Sequence, residues 1–103
     1  VFFDLTGNFV GRGGLHHIEI EGKADVELYH AIAHDKWGQG YATELSQGIL
    51  KIGFASLKLR SIIAFTLQTN LASQRVMQKI GMTYERDFTH YGSPHTFYRL
   101  SSP

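Results

Sequence analysis

The chain has no cysteine among its 103 residues, which excludes disulfide frameworks, thiolate metal centres and cysteine nucleophiles. That absence fits a cytoplasmic protein, the localisation expected here. No apolar run approaches the ~18 residues that a membrane-crossing helix needs. No basic run appears either, and the net charge is only +1, so composition gives no reason to expect a nucleic-acid partner. A signal-peptide pattern, internal repeats, linkers and low-complexity segments are all lacking. The sequence also lacks an initiator Met and starts at Val1-Phe2-Phe3, already in strand-forming residues. We therefore expect a longer protein upstream.

What is present is ordinary for a globular domain: 43% hydrophobic and 18% charged residues, at a length near the usual size for a single core. A chain of this size buries roughly two-thirds of its unfolded surface, so it can fold without cross-links. Residues 1–103 are expected to form one domain. Six histidines would raise its charge in mild acid.

Val1 to Leu5 reads as a strand and Thr6-Gly7-Asn8 as the turn after it. Phe9 to Gly11 and Leu15 to Ile20 continue as a longer strand, with Gly11, Gly13 and Gly14 allowing a bulge or bend. Glu21-Gly22-Lys23 is the next turn, followed by a strand from Val26 to Ala33. Tyr41 to Lys58 is the main predicted helix, because Ala42, Leu45, Ile49 and Ile52 share one stripe and Leu50, Phe54 and Leu57 its neighbour. Ser61 to Gln68 is a nearly continuous apolar run, suited to a central strand covered on both faces. Asn70 is a good N-cap for a second helix from Leu71 to Ile80, with Ala72, Val76 and Ile80 on one face, and Gly81 is its stop. Met82 to Tyr91 and His95 to Leu100 read as a hairpin around Gly92-Ser93-Pro94. The order is β-β-β-α-β-α-β-β, a mixed α/β sheet domain.

The stretch from Val26 to Glu44 organises the rest. A strand runs into Gly38-Gln39-Gly40, and Tyr41-Ala42-Thr43-Glu44 opens the main helix. The first N–H groups of a helix have no intrahelical partner, and the macrodipole adds roughly half a positive charge there. Glycines let a phosphate come close to those amides. A lone Gly-x-Gly is a weak signal, and neither the P-loop nor the dinucleotide fingerprint is present.

The downstream block makes the pattern specific. Trp37-Gly38-Gln39-Gly40-Tyr41-Ala42-Thr43-Glu44, followed by Asn70-Leu71-Ala72-Ser73-Gln74-Arg75-Val76-Met77-Gln78-Lys79-Ile80-Gly81-Met82, resembles the GNAT superfamily of acetyl-CoA-dependent N-acetyltransferases. The chain is most similar to the branch with the ribosomal-protein alanine acetyltransferases. The resemblance implies a mostly antiparallel GNAT-like sheet with two helices. It also implies acetyl-CoA as co-substrate, with no metal. Trp37, Gly38, Gln39, Gly40, Tyr41, Ala42 and Thr43 would then hold the pyrophosphate. Ala31, Ile32 and Ala33 would pair with the pantetheine arm, and an N–H near Ile32 would face the acetyl carbonyl as an oxyanion donor. Asn70 would bond the same arm as well as capping its helix. Many relatives have a Tyr acid where this chain has Met77. Ser73 is where this branch puts a hydroxyl near the thiol, although it also reads as a solvent-facing helix Ser.

Acyl transfer to an amine needs a base, since the amine is mostly protonated at neutral pH. Glu27 and His30 lie on the flanking strand, three residues apart, and so point to opposite faces. Glu27 is the candidate base, with a structural sheet residue as the plainer reading. His16, His17 and His34 lack the pattern of a metal site, and His90 and His95 read as surface residues. The strand and two helices that begin most family members have no counterpart here, so the wall that would identify the amine is missing. The expected acceptor is a protein N-terminal α-amine, a polyamine or another small amine, in that order, taken by direct transfer. An exposed sheet edge leads us to expect a homodimer. The alternatives are a silent CoA-binding or assembly module and an unrelated nucleotide binder.

Overall fold

The computed structural model describes residues 2–3, 7, 9–32, 37–38 and 40–102. In chain order these form β1 (Phe2–Phe3), β2 (Phe9–Ile20), β3 (Lys23–Ile32), α1 (Tyr41–Lys51), a π-helical continuation (Ile52–Ser56), β4 (Ser61–Leu67), α2 (Leu71–Lys79), β5 (Thr83–His90) and β6 (Ser93–Ser101).

Two hairpins with the same turn chemistry set the register. Glu21 and Gly22 join β2 to β3 with φ of 51° and 80°, and Tyr91 and Gly92 join β5 to β6 with φ of 50° and 78°. Paired positive φ values are the two-residue turn whose twist matches antiparallel strands. Both turns are tighter than the sequence reading placed them. Lys23 therefore begins β3 rather than ending a turn, and Ser93 and Pro94 begin β6. The bulge that the glycines allow occurs at Gly11 on the β1 side, where the register shifts between Phe2↔Gly11 and Phe3↔Phe9, while β2 and β3 pair in unbroken register from Gly11↔Ile32 to Ile20↔Lys23, with no bulge at Gly13 or Gly14. Those glycines serve close approach instead, since a Cβ on Gly13 would sit 2.7 Å from the Tyr29 carbonyl oxygen and 3.1 Å from Ile49 Cδ1.

The six strands form one sheet in the order β1-β2-β3-β4-β6-β5. Every neighbouring pair is antiparallel except β3 and β4, so the sheet is mixed and mostly antiparallel, as expected. Both helices pack on one face, where Leu28, Leu45, Ile49, Leu50, Ile62, Ala64, Met77, Met82 and Tyr98 make the main core. Ile20, Ile63 and Phe97 form a smaller cluster on the other face, flanked by Ile18, Phe65 and Phe88. Ile62 and Ile63 are both 0% exposed, so β4 is covered on both sides, as its continuous apolar run predicts. Each such burial contributes about 1.5–3 kcal/mol.

The predicted helix from Tyr41 to Lys58 leaves α geometry after Lys51. The Leu57 N–H donates to the Ile52 carbonyl at 3.1 Å, the wider i→i+5 turn. Ile52 and Leu57, predicted on the apolar stripes, are instead 56% and 57% exposed. Gly53 is buried in their place, and a Cβ there would meet Ile62 Cδ1 at 2.7 Å. In α2 the buried stripe centres on Met77, while Ala72 is exposed. Among the described residues no helix is long and apolar enough to cross a membrane.

Candidate active site

The parallel ladder between β3 and β4 has one paired position, Glu27 with Ile63. Beyond it the C-terminal ends of the two strands part, and an inner cleft of ≈ 240 Å³ opens between them. Leu28, Tyr29 and His30 line one side and Ala64, Phe65 and Thr66 the other, with Asn70, Ser73 and Met77 of the α2 region along the floor. A parallel pair has no tight turn to hold its far ends together, so the two strands can separate while β2 and β6 keep each in place.

Glu27 stands where the strands part and is 9% exposed. Burial pushes its carboxyl above the ordinary carboxylate value, and the hydrogen bond and charge of His16 partly counter that rise. His16 reaches the carboxylate through Nε2 and stacks on Tyr29, with ring centroids 5.1 Å apart. His30 points to the opposite, helix-bearing face, as the strand alternation predicts. There Nδ1 lies 3.5 Å from the Oγ of Ser46, itself fully buried. Burial lowers the pKa of His30, which keeps it neutral at pH 7.

The inner cleft continues into an outer groove of ≈ 580 Å³ lined by Ala31, Ile32, Trp37, Gly38, Gly40, Tyr41, Ala42 and Thr43 and by the α2 residues Arg75 and Lys79. Gly40 caps α1 at φ 80°, a conformation only glycine adopts readily. It brings no side chain to compete for the first-turn amides, so the helix start can face an anion. The indole N–H of Trp37 donates to the Ile32 carbonyl at 2.9 Å and ties the turn to the end of β3. Asn70 Oδ1 accepts from the Ser73 N–H at 3.1 Å, and both residues line the cleft and the groove. A helix start and two cations at one end, with a narrow slot ending at a carboxylate, fit an elongated ligand carrying phosphate at one end only.

A family model for the GNAT acetyltransferase domain matches residues 1–83. The uncharacterized protein YkkB of Bacillus subtilis is 33% identical over 97 residues, which are 94% of this chain and 56% of that protein. A GNAT-family acetyltransferase from Bacillus anthracis aligns with a TM-score of 0.81 at 31% identity, over 94% of this chain and 61% of that one. Spermidine N-acetyltransferase from Vibrio cholerae, in complex with CoA and spermine, aligns with a TM-score of 0.83 at 19% identity over 97% of this chain and 62% of that one. At that identity the likeness shows the fold. The chain belongs to the GNAT acetyltransferase family. It spans about three-fifths of the length of these relatives.

Most of the residues singled out from sequence come together along the cleft and groove: Glu27, Ala31, Ile32, Trp37, Gly38, Gly40, Tyr41, Ala42, Thr43, Asn70 and Ser73. Ala33 and Gln39 lie outside the described residues, as does His34. His16 and His17 are split across the sheet by strand alternation, and His16 serves Glu27 instead. The sequence reading missed that pairing because it assigned three residues to the turn after Ile20. With the two-residue turn, Ile20 faces Lys23, and four steps further along each strand His16 faces Glu27. His90 and His95 are not simple surface residues, since both are half-buried in a ring cluster with Phe65 and Phe88. Arg75 and Lys79 were also missed as groove residues, although their spacing of four puts them on one helix face.

Proposed function

We propose that this chain is the acetyl-CoA-binding core of an N-acetyltransferase that moves an acetyl group to a primary amine by direct transfer. The observation that carries this reading is the single path from the glycine-capped start of α1, past Ser73, to Glu27. The first-turn amides and Gly38, Gly40, Tyr41, Ala42 and Thr43 hold the pyrophosphate, assisted by Arg75 and Lys79. Ala31, Ile32 and Asn70 bond the extended arm. Glu27 accepts the amine proton as the new C–N bond forms, and its raised pKa suits that work. An N–H near Ile32 donates to the developing oxyanion. The Ser73 hydroxyl hydrogen-bonds the departing sulfur as the C–S bond breaks. Direct transfer follows from the lack of any cysteine to carry an acyl group. Cytoplasmic location rests on the same lack, and a homodimer on the edge position of β5.

A silent CoA-binding module is the second reading, favoured by Met77, which stands buried where many relatives have an acidic Tyr. Calorimetric titration with acetyl-CoA, desulfo-CoA and ATP tests the site. Micromolar binding of both CoA compounds but not ATP is expected, and a folded sample that binds neither refutes the reading. Turnover with an amine then separates transferase from silent module.

A further inference from the structure

We propose that the amine acetylated at this site is an arylalkyl monoamine, one primary amine on a short chain ending in an aromatic ring. The inference rests on the transferase reading above and takes it to a substrate class.

Three residues that line the inner cleft, Glu27, Tyr29 and Phe65, alternate onto the sheet face opposite the helices and mark its mouth on that side. Phe65 also belongs to a herringbone of half-buried rings. Its centroid lies 5.5 Å from Phe88 and 4.9 Å from His90, and His90 lies 5.3 Å from His95, with interplanar angles of 82°, 70° and 84°. Near-perpendicular packing at such spacing is the arrangement that aromatic quadrupoles favour. A cluster built this way offers a further ring both an edge and a face. Phe65 lines the same cleft as Glu27 and so links the carboxylate to the cluster. A ring seated on the cluster and an amine at Glu27 are therefore within reach of one small molecule.

The charges on the same face point away from a polyamine. Asp25 takes both terminal nitrogens of Arg99, at 2.9 and 3.2 Å, and Glu85 takes its Nε at 2.9 Å. Glu21 pairs with Arg86, and Glu27 with His16. Asp25, Glu21 and Glu85 each already have an arginine, and the Arg86 guanidinium lies over the rings of Phe88 and Phe97, at 5.5 and 4.8 Å. The groups beside the mouth are the rings of His16, His90 and His95 and, over Phe88, the Arg86 guanidinium. One ammonium can meet Glu27, but a second finds no free carboxylate among these groups and meets the Arg86 cation.

Initial rates with the full-length protein, acetyl-CoA and each of phenethylamine, butylamine and spermidine test the proposal. Phenethylamine is expected to show kcat/KM at least about tenfold above spermidine, and Phe88→Leu to lower the phenethylamine value by about fivefold with little change for butylamine. Spermidine equal to or better than phenethylamine overturns the inference and leaves the transferase reading standing. An equal loss for both monoamines in Phe88→Leu also overturns it, because the ring would then be structural. Acetyl-CoA binding without acetylation of any amine overturns it in favour of the silent module. Failure to bind acetyl-CoA removes the transferase reading and the inference together.

Discussion

The two faces of this sheet are made by the same strands and are built on different principles. On the helix side, Leu28, Ile62 and Tyr98 pack against α1 and α2, and Gly13 and Gly53 let backbone and side chains approach to the limit of contact. The one titratable group in the inner cleft on that side, His30, is kept neutral by burial. On the other side no helix packs among the described residues, and the covering is made of ion pairs around Arg86 and Arg99 and of rings around Phe65. Apolar packing there is confined to a small cluster at Ile20, Ile63 and Phe97. The difference teaches a division of work. The helix face holds the fold and, in the function proposed above, the ligand's phosphate end, while the open face would supply the proton acceptor and the contacts that choose the amine.

The sharpest way to break this comparison is Glu27→Gln. It should lower kcat by about 10²–10⁴-fold, the usual contribution of a positioned base, while leaving the acetyl-CoA Kd unchanged by calorimetry. In the unaltered protein kcat/KM should rise with pH as Glu27 loses its proton, with a midpoint above the ordinary carboxylate value because burial raises it. His30→Gln, on the other face, should leave that midpoint in place. A rate that follows His30 instead would move the base to the helix side.

The next largest effect is on stability. Ile62→Ala, at a fully buried position on the helix face, should cost about 2–5 kcal/mol in denaturant unfolding. Gly40→Val forces a β-branched residue to φ 80° at a strain of about 1–3 kcal/mol. It should also weaken acetyl-CoA binding, followed through the fluorescence of Trp37, the sole tryptophan. Asn70→Ala removes the cap on Ser73 and should cost about 1 kcal/mol. An additional loss of acetyl-CoA affinity in that variant distinguishes a ligand contact from a cap alone. The smallest effect concerns His30, whose pKa is lowered in the fold. The unfolded chain takes up this proton first, so its contribution to stability is lost as pH falls below the ordinary histidine value of 6.5. Acid titration of unfolding should be flatter in His30→Gln.

Sequence carried the element order and the glycine-capped start of α1, because both are local. Gly40 before Tyr41 and Asn70 before Leu71 are caps whose chemistry can be read from neighbours a few residues away. The strand order was not legible, because placing β4 beside both β3 and β6 depends on contacts between residues far apart in the chain. The π turn was hidden as well, since Ile52 and Leu57 keep the spacing of an ordinary helix while the backbone widens beneath them. The His16–Glu27 pair was legible in principle and was lost through one residue in a turn. A slip of one residue in a hairpin sends every side chain to the wrong neighbour. The ring cluster joins β4 to the β5–β6 hairpin, so no short window of sequence contains it.

Among the described residues Glu27 and Ile63 are the only paired position where β3 meets β4, and that makes them the rivet of a pair of scissors. Any widening of the gap would be greatest at the blade tips, Ile32 and Leu67, and least at the rivet. A thicker or thinner guest therefore changes the width of the slot without relocating the carboxylate at its vertex. A proton acceptor at Glu27, as proposed, would keep one address whatever occupies the space beyond it.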